Sequence, residues 1–121
     1  MNNNLIELEK KMGSKWPIFE KLHKTILSAN PNIEYHVFPI YIGYYLGDKS
    51  VAIVYFRGKF VSDDELDVGL GLEKKPKVSG FVDAKYMHYN GVNYSIKLKT
   101  TKKITKEFIA IVKSIGKRDK K

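Results

Sequence analysis

The chain contains no cysteine. That absence excludes disulfides, thiolate zinc sites, iron–sulfur clusters and cysteine nucleophiles, and it fits a reducing compartment. Long apolar runs are missing too. Nothing approaches the roughly 18 consecutive apolar residues of a membrane-spanning helix. The opening MNNNLIELEKKMG carries acids and no apolar stretch, so it does not read as a signal peptide. The expectation is a soluble, cytoplasmic chain without a membrane partner. Acidic residues are scarce at one end only. From residue 84 onward there are two, Glu107 and Asp119, against eleven Lys and Arg, whereas residues 1–83 hold eleven of each sign. The whole net charge of +9 therefore lies in the last third. A neutral body with one basic end attracts phosphates and other anions, which bears on partners rather than on fold.

Catalytic and metal signatures are also lacking. His23, His36 and His88 stand alone, with no second ligand at i+3 or i+4, so no metal site is expected. Asp63, Asp64, Glu65 and Asp67 lack the spacing and central glycine of a calcium loop and read as a solvated turn. Gly69-Leu70-Gly71 has neither the third glycine nor the following helix of a dinucleotide fingerprint. No nucleophile elbow or phosphate loop occurs. The reading is a chain without a cofactor, more in keeping with a binding module than an enzyme.

What is present suffices for one domain over residues 1–121. The hydrophobic fraction is 43%, with six Phe and eight Tyr to fill a core. Residues 1–13 read as a short N-terminal helix ended by Gly13. Ser14 is placed to cap a second helix, with Pro17 tolerated in its first turn. Trp16, Phe19, Leu22, Ile26 and Leu27 recur at helical spacing, and Asn30-Pro31 ends the run. Residues 40–46 and 51–56, rich in β-branched and aromatic side chains, flank a turn at Gly47-Asp48-Lys49 and read as strands. Residues 66–72 alternate Leu66, Val68, Leu70 and Leu72 against Asp67, Gly69 and Gly71, a strand with one buried face. The bare glycines invite something to approach the other face closely. Residues 78–82 offer a further short strand.

Asn90-Gly91 between residues 86–89 and 92–99 is the strongest local hairpin signal, since both residues tolerate the positive φ of a tight type I′ turn. In the second arm Val92, Tyr94, Ile96 and Leu98 are expected on one face. Thr100-Thr101 is placed to cap a last helix with an Ile104, Phe108, Ile111, Ile115 stripe and a stop at Gly116. Residues 117–121 read as a frayed basic tail. The predicted core is Trp16, Phe19, Ile26, Val51, Ile53, Leu70, Ile96, Leu98, Phe108, Ile111 and Ile115. The predicted fold is α+β in two layers, a curved antiparallel sheet of about five or six strands with the N- and C-terminal helices on one face.

Trp16 opening the first main helix, Ile33-Glu34 before the strands, Ile40-Tyr41-Ile42-Gly43-Tyr44, the strand over residues 51–56, Leu70-Gly71-Leu72 and a closing hairpin into the last helix occur in that order. This layout, over residues 15–117, resembles the YdhG-like domains of unknown function and their relatives labelled predicted transport proteins. The resemblance implies a fold and no catalytic motif. Chains resembling this pattern include a proposed frataxin-like iron chaperone, and relatives occur fused to DNA-restriction modules. The positive charge of the present chain should repel iron cations.

Two candidate sites follow. Lys97 and Lys99 end the last strand, and Lys102, Lys103 and Lys106 come within the next turns, so the five can form one anion-binding patch for nucleic acid or another polyanion, weak and without sequence preference. The plainer alternative is a solvated face that aids solubility. The second candidate is a ligand face of Tyr44, Tyr55, Gly69, Gly71 and Tyr86, which would serve a small-ligand carrier or a small enzyme. Tyrosines beside lysines can stack on bases, although strand propensity alone accounts for most of them.

Overall fold

The computed structural model describes residues 3–59, 61–62, 64–87 and 91–119. Helix α1 (Asn3–Met12) turns Leu8 and Met12 inward, one helical turn apart, and stops where Gly13 takes φ +54°. That left-handed backbone favours a residue without a side chain. The chain then makes a 3-10 turn over Gly13–Lys15. Ser14 lies inside that turn and caps nothing. Helix α2 (Trp16–Ser28) starts without a side-chain cap, with Pro17 in its first turn. Ile18, Phe19, Leu22 and Ile26 form its buried stripe.

Six strands follow: β1 (Ile33–Val37), β2 (Tyr41–Leu46), β3 (Lys49–Tyr55), β4 (Leu66–Leu70), β5 (Val82–Asp83) and β6 (Tyr94–Leu98). They form one open sheet in the order β1-β2-β3-β4-β6-β5, antiparallel throughout. Gly47 at φ +66° lets β2 return directly into β3. A register shift between Tyr44 and Tyr45 marks a bulge in β2. Strand β1 departs from the expectation, which starts the strands at residue 40, although Ile33, Tyr35 and Val37 alternate with exposed Glu34 and His36 as in a half-buried edge strand.

The expected hairpin about Asn90-Gly91 is not how β6 is paired. β6 sits between β4 and β5, with Val82 opposite Ser95 and Leu70 opposite Tyr94. Residues Lys85–Met87 form a 3-10 turn rather than a strand. His88, Tyr89 and Asn90 lie outside the described residues. β5 starts only at Val82, at the end of the strand expected over residues 78–82.

The last helix, α3 (Lys106–Lys113), begins later than Thr100-Thr101 implied. Thr100 instead caps a 3-10 turn over Thr101–Lys103, and Thr105 caps α3 by accepting the Phe108 N–H at 3.2 Å. Gly116 does not stop the chain, which runs on as a 3-10 helix over Ser114–Asp119. Its missing side chain serves packing: a Cβ there would collide with the Ala29 carbonyl, and the Gly116 carbonyl accepts from Asn30 Nδ2 at 3.1 Å. Lys120 and Lys121 of the expected tail lie outside the described residues.

All three helices pack on one sheet face. Their stripes join Ile42, Tyr44, Val54, Leu66, Val68, Leu70, Ile96 and Leu98 in the main core. The opposite face carries a smaller cluster of Ile53, Tyr55, Ala84, Met87 and Val92. Val92 thus leaves the face that Tyr94, Ile96 and Leu98 share. Of the predicted core, Trp16 and Ile111 are only partly buried, and the other nine are buried. Among the described residues no helix is long and apolar enough to cross a membrane.

Candidate anion-binding face and a buried carboxylate cluster

The lysine run begins where β6 ends. Leu98 turns into the main core, which leaves Lys97 and Lys99 exposed on the other side of the strand. Lys97 Nζ stands 3.7 Å from Glu65 Oε2. Past the sheet, Thr100 is extended and its hydroxyl accepts the Lys102 N–H at 3.2 Å. Lys102 and Lys103 ride on that capped turn, and Lys106 opens α3. Ile104 and Phe108, both buried, pin the backbone between them. All five lysines are exposed, and among the described residues Lys99, Lys102, Lys103 and Lys106 form no ion pair. A cation in the first turn of a helix opposes the helix dipole. Glu107 in the same turn of α3 partly offsets Lys106.

The tyrosines and glycines of the second candidate do not converge. Tyr44 belongs to the helix side, fully buried, with its hydroxyl 2.7 Å from His23 Nδ1. His23 stacks on Phe19 and meets Tyr35 edge-on. Burial lowers the His23 imidazole to about 4, so it stays neutral at neutral pH. Burial, with the nearby Tyr35 hydroxyl, pushes the Tyr44 phenol well above its usual value. The pair is a core hydrogen bond.

Tyr55, Gly69, Gly71 and Tyr86 do lie on the opposite sheet face, but the chain itself covers it. A Cβ on Gly69 would stand 2.5 Å from Val92 Cγ1 and 2.9 Å from both Ile53 Cγ2 and Met87 Sδ. A Cβ on Gly71 would run into the Gly91 carbonyl oxygen. The close approach that the glycines invited is made by residues 84–87 and 91–93, held by backbone bonds from Ala84 N–H to Asn93 O and from Asn93 N–H to Leu70 O.

Beneath this covering lies a cluster that the sequence reading missed. Asp64 is exposed, Glu65 is buried and Asp67 has no exposed surface at all; Asp63 is outside the described residues. Asp67 Oδ2 accepts from the Tyr86 hydroxyl at 2.7 Å, and that hydroxyl is 2.7 Å from Ser95 Oγ. Glu65 Oε2 accepts the Ser62 N–H at 3.1 Å. Asp67 Oδ1 has no partner among the described residues. Burial raises the Asp67 carboxyl above its usual range, and Glu65 adds to this, against the Tyr86 hydrogen bond and the Lys97 charge. The Tyr86 phenol is likewise raised by burial and stays a neutral donor. The available signal was Asp67 on the same side of the strand as Gly69 and Gly71, whose bare backbone invited a close approach. Nothing local said that the chain's own residues 84–87 and 91–93 would make that approach and bury the acid.

His36 is exposed and His88 is outside the described residues; no group of three or more potential metal ligands assembles among the described residues. Neither a family model, nor a curated protein, nor a solved structure matches the chain.

Proposed function

We propose that the chain is a non-enzymatic binding module that holds the phosphate backbone of nucleic acid through Lys97, Lys99, Lys102, Lys103 and Lys106. The observation that carries this reading is the exposure of all five lysines on one short, capped path from the end of β6 to the first turn of α3. Ordered backbone under Lys99, Lys102, Lys103 and Lys106, with Lys97 beside them at Glu65, lets several ammonium groups meet successive phosphates, and release of condensed counterions drives such binding. The likeness to YdhG-like domains, with relatives fused to DNA-restriction modules, points the same way. The small-ligand reading loses support, because Gly69 and Gly71 face the chain's own Met87, Gly91 and Val92.

The test is fluorescence anisotropy of a labelled oligonucleotide over a salt series. The wild-type chain should bind with a dissociation constant of about 10⁻⁴–10⁻⁶ M at physiological salt, and log affinity should fall linearly with log salt. Replacing all five lysines by Gln should weaken binding and flatten that slope. Stability should move by no more than ~0.5 kcal/mol per site at Lys99, Lys102, Lys103 and Lys106, whose side chains are exposed, and by more at Lys97, whose loss leaves buried Glu65 without its cation. No binding at low salt would end the nucleic-acid reading. Unchanged binding in the variant would move the site to the basic residues after Gly116. Equal competition by heparin would make the ligand any polyanion.

A further inference from the structure

The loop between β4 and β5 is fastened at both ends and stands away from α3 in between. At its start Asn93 clamps Leu72 with two hydrogen bonds, accepting the Leu72 N–H at 2.9 Å and donating from Nδ2 to the Leu72 carbonyl at 2.6 Å. At its far end Phe81 stacks on Phe108 of α3, ring centres 6.1 Å apart. Between these anchors a groove of about 890 Å³ opens, walled by residues 72–78 on one side and by Thr105, Glu107, Ala110, Ile111 and Ser114 on the other. Val78 and Ile111, both partly buried, supply apolar surface beside buried Leu72, and Ile111 is the stripe residue of α3 that the core leaves partly uncovered. The loop wall carries Lys74, Lys75 and Lys77, all exposed; Glu73 and Glu107 are the acids of the lining.

We propose that this groove docks an acidic amphipathic segment of a partner protein, its apolar ridge on Val78 and Ile111 and its carboxylates toward Lys74, Lys75 and Lys77. The proposal goes beyond the nucleic-acid reading and uses different lysines. Charge selects the occupant on the loop wall: three cations within four residues face one side of the groove. The floor selects a peptide over nucleic acid, because among the described residues no aromatic ring lines it and bases would have nothing to stack on. Apolar side chains at i, i+4 and i+7 of a helix gain from leaving water against aliphatic surface. A second copy of this chain is disfavoured, since two bodies of net charge +9 repel.

The probe is a fluorescent helical peptide of about 14 residues with leucines at i, i+4 and i+7 and glutamates along one flank. It should bind the full chain, and its Glu→Gln counterpart should bind about tenfold more weakly. Ala110→Glu and, separately, Ser114→Glu each place an acid on the helix wall at an exposed position, and each should weaken binding about tenfold with the thermal midpoint nearly unchanged. Should one variant fold poorly, the other decides. Lys74→Gln, Lys75→Gln and Lys77→Gln combined should weaken binding and flatten its salt dependence. The variant with Gln at 97, 99, 102, 103 and 106 should bind the peptide like wild type. The proposal is overturned by no binding, by equal binding of the Glu→Gln peptide, or by indifference to both groove variants. It is equally overturned if an oligonucleotide or a single-chain fatty acid displaces the peptide at the same concentration as unlabelled peptide does. Self-association of the wild type that Ala110→Glu abolishes would assign the groove to a second copy.

Discussion

At the scale of single residues, two buried titratable groups pull stability in opposite directions with pH. His23 is lowered from 6.5 to about 4 by burial beside Tyr44. The unfolded chain takes up this proton first, so acid favours unfolding. The contribution of neutral His23 is fully present above about pH 6.5, erodes as pH falls, and is gone by about pH 4. The steepest slope is about 1.4 kcal/mol per pH unit. Asp67 acts the other way: its carboxyl is raised, so its proton favours the folded state, and that benefit is lost as pH rises from the ordinary 3.8 toward the raised value. Urea midpoints across the acid range should therefore fall between pH 6.5 and 4 in the wild type. His23→Phe should flatten this limb. It should also lower stability at neutral pH by roughly 1–3 kcal/mol, because the Tyr44 hydroxyl is left buried without its partner. An acid limb of unchanged steepness in the variant would assign the loss to carboxylates instead.

At the scale of elements, the segment around Lys85–Met87 and Val92 acts as a strap across the second sheet face. Its fit depends on Gly69, where any side chain meets Val92, Ile53 and Met87. Gly69→Ala should overpack this contact at a cost of roughly 1–3 kcal/mol. Hydrogen exchange locates the effect. The Ala84, Met87 and Asn93 amides, bonded to Asn93 O, Ala84 O and Leu70 O, should exchange faster, while the amides of α2 keep their protection. Uniform acceleration across the chain would show that strap and core open together. The elements built on strong periodicity, α2, β2, β3, β4 and the core of α3, were legible because each apolar stripe is a local property of its own segment. The arm expected at Tyr86 was not. An Asn-Gly pair reports a willing turn, but β6 had already found β4 and β5 as neighbours, and a third partner had no edge left.

At the scale of the molecule, the helices and the sheet depend on one shared core, and Phe108 ties its parts together. It has no exposed surface and stacks on Phe81 at the end of the lysine-bearing loop. Phe108→Ala should cost about 3–5 kcal/mol in chemical denaturation, as for other buried aromatics. Because Phe81 holds the far end of the groove, the same variant should lose affinity for the acidic peptide while it is still folded in low denaturant. A cost near 1 kcal/mol would mean that the neighbours collapse into the vacated space. The basic character is likewise a property of the whole. The surplus of charge lies after residue 83 in the chain, yet folding sets Lys74, Lys75 and Lys77 beside α3 from the balanced part.

The sequence by itself determined the α+β class, the helices on one face of an antiparallel sheet, the buried side of each strongly patterned element and the basic end. These follow from local periods of 3.6 and 2 residues and from charge, none of which needs a distant partner. Only the tertiary structure decided what covers each face. It closed the glycine face of β4 with the chain's own strap, buried Asp67 on a side that alternation marks as solvent, sent Tyr44 to His23 and left Ile111 at a groove. Period tells which residues share a face. Whether that face meets water, a ligand or another part of the chain depends on contacts between residues far apart in sequence, and no local pattern encodes them.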